Sequence, residues 1–532
     1  MAPDTHLVSG RTARRAVLAG GLAGAFGVAG ARTTSATTRS VAAVSVSDFG
    51  AVGDGQIDDT AAVRAAVSAA VTERRPLLVP PGTYLVDAPI RVVGAEDLVI
   101  EMQGRLRRKN ASAADSLLRF VNCTNLAVIS LRTDGNAAGN GAVQSDGRWY
   151  PVHEAKHDVR LDGCHGVWIG YLESLDPAGD GLYISGGQMP SSDVSVEHVV
   201  VHSAAATGRN AVSVIAGERI HFGSVRALGV GCRTGVIVMP GGFQVEPNNG
   251  DTVRDLQVES VLVQTAGSTG LGLCSVYGRC ISDVQIGMVR VHKEAGTHPY
   301  SCDVNVRGVV RAKILDIQHS SDPSNVNQVL AVDDSDQVEL AITAPRLGSR
   351  PVNIGYSGRV TRLRLRGSLA RSTSHLVQIF NLDDSVLDLT LRDAGQGSAY
   401  VMKHASGTSS RVRFHGDWRR GVSGALCVSG SGVIDSWVLE DVDMTGWARD
   451  TRIKQSGSSY LHRIRKNRVD NLTTASSRPT LDTWAQGDVV TNTAPRELGS
   501  VGHRYVVSGW VCTQSGYGAA ARWSECRVPT GT

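Results

Sequence analysis

Asp180, Glu246 and Asp303 are the acids whose positions suit paired acid/base chemistry. Asp180 stands in Gly179-Asp180-Gly181, Glu246 in Gln244-Val245-Glu246-Pro247-Asn248, and Asp303 in Cys302-Asp303-Val304-Asn305. If the segments stack as turns of one coil, Glu246 lies two coils from each of the others, and about 4.8 Å per coil puts each pair about 10 Å apart. That is close to the separation of about 6.5 to 9.5 Å at which one carboxyl protonates a leaving group while another activates a water on the opposite face. One carboxyl must then be kept protonated by burial or a like charge while the other stays ionised.

Around these acids stand side chains suited to holding a substrate: Tyr183, Arg209, Asn210, Gln244, Asn248, Lys293 and Asn305. Aligning the apolar alternation places Leu182, Val212, Phe243 and Cys302 at one inward position. Tyr183, Ser213, Gln244 and Asp303 then form one outward column, Ser185, Ile215, Glu246 and Asn305 the next, and Asp180 and Asn210 occupy the preceding turn. Arg209 suits a substrate carboxylate. Lys293 and His292 suit the base of a β-elimination, because amine and imidazole pKa values move readily with environment. Gly179-Asp180-Gly181 and Glu246-Pro247-Asn248 also serve as turns on backbone grounds alone.

His153-Glu154-Ala155-Lys156-His157 has zinc-protease spacing, but Pro151 precedes it and the strand-like Val159-Arg160-Leu161 follows, so the required helix is missing and a loop is expected. Asp333, Asp334 and Asp336 read as a solvated turn.

The elements that must position these residues recur. From about Leu117 to Lys466 the chain falls into units of roughly 24 to 30 residues, each with short alternating apolar runs between Gly, Asn, Asp or Ser. Gly181-Leu182-Tyr183-Ile184-Ser185, Ala211-Val212-Ser213-Val214 and Leu376-Val377-Gln378-Ile379 are examples. Such units cannot bury their inward face singly, and about a dozen of them stacked would share one core. Two-residue hairpin signals are scarce, which disfavours an antiparallel sandwich. Before the repeats, Asp48-Phe49-Gly50-Ala51-Val52-Gly53-Asp54-Gly55 supplies turn residues. Asp58-Asp59-Thr60 suits a helix N-terminus, and Val63, Ala66, Val67, Ala70 and Val71 recur on one helical face. Leu77-Leu78-Val79 and Tyr84-Leu85-Val86 read as strands about a Pro80-Pro81-Gly82 turn.

The order Asp48 to Gly55, Asp58-Asp59-Thr60, helix, Val79-Pro80-Pro81-Gly82-Thr83-Tyr84 resembles the opening of the pectate-lyase-like superfamily, which includes rhamnogalacturonase- and epimerase-like proteins. The resemblance implies an all-β fold: a right-handed parallel β-helix solenoid, here with an N-terminal capping helix and a small C-terminal β appendage. It also implies action on polysaccharides by any of several chemistries. Gly208-Arg209-Asn210 followed by Gly242-Phe243-Gln244-Val245-Glu246-Pro247-Asn248 resembles a paired segment of that superfamily whose second part reads G-x-D-x-E-P-N. Glu246, Pro247 and Asn248 match, and Gln244 stands where an acid is usual, which weakens a paired-acid or calcium reading at that coil. Arg452-Ile453-Lys454 repeats a polygalacturonase tripeptide, without the Gly-His-Gly and Asn-Thr-Asp that accompany it there.

The domain plan follows: residues 1–31 an export signal, 32–44 a linker, 45–470 the β-helix, 471–479 a linker and 480–532 the appendage. Arg14-Arg15, a short glycine-rich apolar run and Ala29-Gly30-Ala31 resemble a twin-arginine signal, so a secreted or periplasmic location is expected. The formal charge of +4 is spread along the chain and demands neither nucleic acid nor, once the signal is removed, a membrane. Of the 9 cysteines, Cys123, Cys164, Cys232 and Cys302 suit small buried hydrophobes, and Cys512 with Cys526 is the best disulfide candidate, across a hairpin. Trp484, Trp510 and Trp523 fall in the appendage, which is expected to cap the last coil. No cofactor is expected; calcium is the one candidate, with no specific motif to indicate it. The expected activity is polysaccharide cleavage by hydrolysis, with lyase or uronate-epimerase action and a non-catalytic glycan-binding spike as alternatives, in a monomer or homotrimer.

Overall fold

The computed structural model describes residues 42–87, 89–112, 115–140, 155–204, 208–231, 241–265, 267–293, 302–320, 328–346, 352–372, 374–393, 400–419, 424–428, 432–444, 453–455, 461–465, 474–480, 483–484 and 486–531. The export-signal pattern, His153, Glu154, Cys232 and Arg452 lie outside them.

The opening segment closes on itself. The helix spans Thr60–Glu73 and buries Val63, Ala66, Val67 and Ala70, the face that the apolar spacing marks. Asp59 stands at its N-cap position but makes no side-chain bond to the helix. Its carboxylate instead accepts the Val52 N–H at 2.7 Å and the Gly53 N–H at 3.1 Å, so the acid ties down the glycine-rich loop while Asp58 takes the Thr60 N–H at 3.0 Å. Gly53 has φ +70, and a Cβ there would meet the buried Tyr84 ring at 2.8 Å. The glycine and the tyrosine of the motif are thus one packing contact.

Beyond it the chain winds as a parallel solenoid. Among the described residues one sheet holds 14 strands, from Ile90–Val93 to Ile453–Gln455, and its pairings are parallel, for example Leu182↔Val212, Val212↔Phe243, Phe243↔Leu271 and Leu271↔Val304. A second sheet, of 23 strands among the described residues, forms the other side of the coils and includes long strands such as Gly217–Val230 and Val253–Thr265. Inward residues stack as columns of Val, Ile and Leu with no exposed surface, among them Leu182, Ile184, Val212, Val214, Leu271 and Leu273. Each such side chain contributes about 1.5 to 3 kcal/mol on leaving water. Parallel register is satisfied only by a neighbouring coil, which is why no unit stands alone.

At one corner of the long sheet a single residue per coil is left-handed: Asp193, Arg219, Asp255, Asp283, Arg311, Gln337, Arg362, Asp384 and Arg411 all have φ between 49 and 59. Neighbours on this spine pair, Arg219 with Asp193 at 3.0 Å, Arg311 with Asp283 at 2.6 Å and Arg411 with Asp384 at 2.5 Å. Asp334 and Asp336, expected as a solvated turn, each hold an arginine, Arg279 and Arg362.

The C-terminal appendage is a small antiparallel sheet built on Val489–Asn492, Arg504–Gln514 and Arg522–Gly531. Trp484 and Trp510 are buried in its own core and Trp523 packs against it. The expected Cys512–Cys526 disulfide is not formed. Both are free thiols, and the register sets Cys512 opposite Trp523 and Cys526 opposite Gly509.

Candidate functional site

Four successive coils of the 14-stranded sheet bring the site together. Arg160 lies on strand Val159–Asp162 and Tyr183 on Leu182–Ser185. Arg209 and Asn210 precede Val212–Val214, and Glu246 follows Gly241–Val245. The register Arg119↔Arg160↔Tyr183↔Ser213↔Gln244 makes one column across neighbouring strands.

At the centre the Tyr183 ring stacks on His157, with centroids 4.1 Å apart and planes 14° from parallel, and Arg160 Cζ stands 5.0 Å from the centre of the Tyr183 ring. The Asp180 backbone N–H donates to His157 Nδ1 at 3.2 Å, which places the imidazole proton on Nε2. Asp180 Oδ1 accepts the Asn210 N–H at 3.0 Å, and Oδ2 lies 3.3 Å from His157 Nδ1 and 4.0 Å from Arg209 Nη1. The other arm of the guanidinium, Nη2, reaches Glu246 Oε2 at 3.5 Å. One arginine therefore stands between two carboxyl groups, of which Asp180 is fully buried and Glu246 is 51% exposed.

Burial dominates the electrostatics. It pushes the Asp180 carboxyl up to about 6, with Arg209 pulling the other way. The Tyr183 phenol is raised to about 12, by burial first and then by Asp180, so it is protonated at neutral pH. His157 is held well below its usual range by burial and by the field of Arg160, Arg209, Arg108 and Arg119, so it is neutral. Beneath the site, buried Arg108 donates to the His157 carbonyl at 3.1 Å. Asp158, which accepts from Thr133 at 3.0 Å and Ser174 at 2.7 Å, is raised to about 7 by burial against the pull of Arg108.

The structure divides the residues expected from sequence. Asp180, Tyr183, Arg209 and Glu246 come together. Asn210 is fully buried, its amide held by Ser213 at 2.9 Å and by the Gly241 N–H at 3.3 Å, so it braces coils and faces no ligand. Gln244 is buried beside them, in space left by Gly272, whose Cβ would meet Gln244 Oε1. Asn248 is exposed in the turn after Glu246, where its carbonyl accepts the Asp251 N–H at 3.0 Å.

Asp303 and Lys293 are corrections. Both side chains are essentially without exposed surface. Asp303 bonds His319 Nδ1 at 2.5 Å, and Lys293 Nζ donates to the Ser268 and Cys302 carbonyls at 2.6 and 2.9 Å. Burial lowers the Lys293 amine, yet no substrate reaches it. Asp303 also leaves the expected column: Cys302 pairs with Thr269, not at the Phe243 level, and the residue in line with Gln244 through Gly272 is the half-buried Asn305. The expected Glu246–Asp303 acid pair is therefore not assembled.

Sequence reasoning missed Arg160, Arg119 and Asp162 as site residues. Asp162 is 4% exposed and accepts Arg160 Nε at 2.7 Å and Arg119 Nε at 2.5 Å. Aligning Leu118-Arg119-Phe120-Val121 with Val159-Arg160-Leu161-Asp162 and Leu182-Tyr183-Ile184-Ser185 exposes this column. His157, expected only as part of a loop, is the floor on which Tyr183 lies. Among the described residues, no group of three or more His, Cys, Asp or Glu side chains could hold a metal ion.

Residues 43–106 match the family described as rhamnogalacturonase A/epimerase, pectate lyase-like. This span holds both halves of the glycine–tyrosine latch. No curated protein matches the chain in sequence. Solved structures similar to it include the tailspike protein of E. coli bacteriophage HK620 in complex with pentasaccharide, 12% identical over 91% of this chain and 92% of that one, with a TM-score of 0.43. The A-module of mannuronan C-5 epimerase AlgE6 from Azotobacter vinelandii is 13% identical over 80% and 99%, with a TM-score of 0.38. PfbA, a surface adhesin of Streptococcus pneumoniae, is 13% identical over 85% and 97%, with a TM-score of 0.34.

Proposed function

We propose that this pectate-lyase-like β-helix is an exported enzyme that cleaves an acidic polysaccharide laid across the Arg160–Tyr183–Arg209–Glu246 face. The observation that carries the reading is the convergence of Arg160 and Arg209 on a protonated Tyr183, with Glu246 as the carboxylate open to solvent. Guanidinium groups suit a uronate carboxylate, whose neutralisation acidifies the adjacent C–H. Glu246 then takes that proton and the Tyr183 phenol gives its own to the departing glycosidic oxygen, which is β-elimination.

Hydrolysis is the second reading, favoured by one specific observation. Asp180 is raised to about 6 while Glu246 faces water, the split in environment that divides an acid from a base. In that reaction Arg209 must first move off the buried Asp180 so that the acid can reach the leaving oxygen. The β-elimination leaves the buried Asp180 in place and needs Arg209 only to turn from the solvent-facing Glu246 to the substrate carboxylate, and it is the better supported.

The experiment is incubation of the exported protein with a panel of acidic and neutral polysaccharides. Unsaturated-end ultraviolet absorbance and reducing ends are followed together. Absorbance on acidic substrates alone supports β-elimination, and new reducing ends without absorbance support hydrolysis. A uronate whose stereochemistry changes without chain scission indicates epimerase action, and retention on an affinity gel with no product indicates a binding spike.

A further inference from the structure

Cys123 and Cys164 occupy the same place on two adjacent coils. Val121 pairs with Asp162 on one side of them and Thr124 with His165 on the other. The backbone is bonded through the intervening corner, the Asn122 N–H to the Asp162 carbonyl at 2.8 Å and the His165 N–H to the Cys123 carbonyl at 2.8 Å. In-register parallel coils hold facing Cα atoms about 4.8 Å apart, inside the span of about 4.4 to 6.8 Å that a disulfide bridges. Both are free thiols in this structure, and both side chains enter the core with no exposed surface. None of the other described thiols shares such a register: Cys302 pairs with Thr269, Cys274 with Arg307, and Cys512 faces Trp523.

We propose that Cys123 and Cys164 form a disulfide that staples these two coils in the oxidised protein. The strand that follows the Cys123 corner pairs with the one that follows Cys164, and Arg119 and Asp162, two to four residues before the cysteines, belong to the candidate site, so the staple fixes the register on which the arginine column depends. In the folded chain the two thiols act on each other, Cys164 drawing Cys123 below its usual value while its own is raised; once the corner opens either thiol can attack first, for example Cys123. It displaces one thiolate from an external disulfide, such as oxidised glutathione. Cys164 then attacks the Cys123 sulfur of the mixed disulfide, releases the second thiolate and completes a two-electron oxidation, with both thiol protons passing to solvent or to the released thiolates. Because the pair is buried, the exchange takes place while the corner is open, during folding or in mild denaturant.

The test uses the full chain, recovered from an oxidising compartment and again after equilibration with oxidised glutathione in mild denaturant. Free thiols are alkylated after complete unfolding and the digest is mapped by mass spectrometry. The expected result is a peptide joining Cys123 to Cys164, about 2 Da lighter than its two reduced halves together. Reductant should then lower the thermal midpoint of this protein and of Cys512→Ala, but not that of Cys164→Ala. Alkylation of both Cys123 and Cys164 under each condition, with a midpoint indifferent to reductant, would overturn the proposal.

Discussion

Arg209 Nη2 stands 3.5 Å from Glu246 Oε2 across neighbouring coils, while its other arm faces the buried Asp180. Glu246 is the half of this arrangement that meets water. Glu246→Gln should therefore leave the thermal midpoint almost unchanged, and it should lower the rate on the responsive polysaccharide by about 100-fold or more. Retention of full activity would place the base elsewhere.

Tyr183→Phe keeps the stack on His157 and removes only the phenolic proton. Turnover should fall by about 100-fold while affinity in a gel-retardation assay stays within about threefold, because the proposed binding groups are the guanidinium groups of Arg160 and Arg209 and not the hydroxyl. Equal loss of binding and turnover would make Tyr183 a binding residue only. Under the hydrolytic reading, Tyr183→Phe spares much of the rate.

Stability should depend on pH through Asp158. Its folded pKa of about 7 lies above the usual carboxylate value, so the native state holds the extra proton. The resulting stabilisation is complete below about pH 4 and is lost as pH rises through about 7, with a size on the order of a few kcal/mol. Asp180, raised to about 6, adds in the same direction. His157 is depressed and acts oppositely: its contribution is present above the usual imidazole pKa and falls away as pH drops below it. Thermal midpoints between pH 5 and 8 should fall less steeply for Asp158→Asn than for the native chain. Parallel curves would mean that Asp158 does not titrate in this window.

Gly53→Ala tests the latch. The new Cβ meets the Tyr84 ring at 2.8 Å on a backbone with φ +70, so a loss of about 1 to 3 kcal/mol is expected in urea titration. Gly250→Ala, also at positive φ but with open space around its Cβ position, should cost less, since it bears only the backbone part.

The fold was legible because alternation reports which face of each strand is inward, and Leu182, Val212 and Phe243 do lie in register. Alternation has a period of two, however, so a slip of two residues keeps every face correct. That is how Cys302 came to be aligned with Phe243 when its partner is Thr269, and how Asp303 entered a groove it does not line. Exposure was equally hidden. Nothing in Gly179-Asp180-Gly181 tells a surface turn from one covered by Arg209 and His157, because the covering groups come from other coils.

The left-handed spine has a further consequence. By shape the coils are interchangeable: each turns its corner on one residue with φ near 50 to 59. By charge they are not, since Asp193 with Arg219 and Asp283 with Arg311 are opposite-charge neighbours whereas Asp255 sits beside Asp283. A duplicated Arg311 floor would set arginine over arginine, and one deleted would strand Asp283, each error small at an exposed position. Summed along the stack, such mispairings are expected to favour the native order of coils over slipped ones.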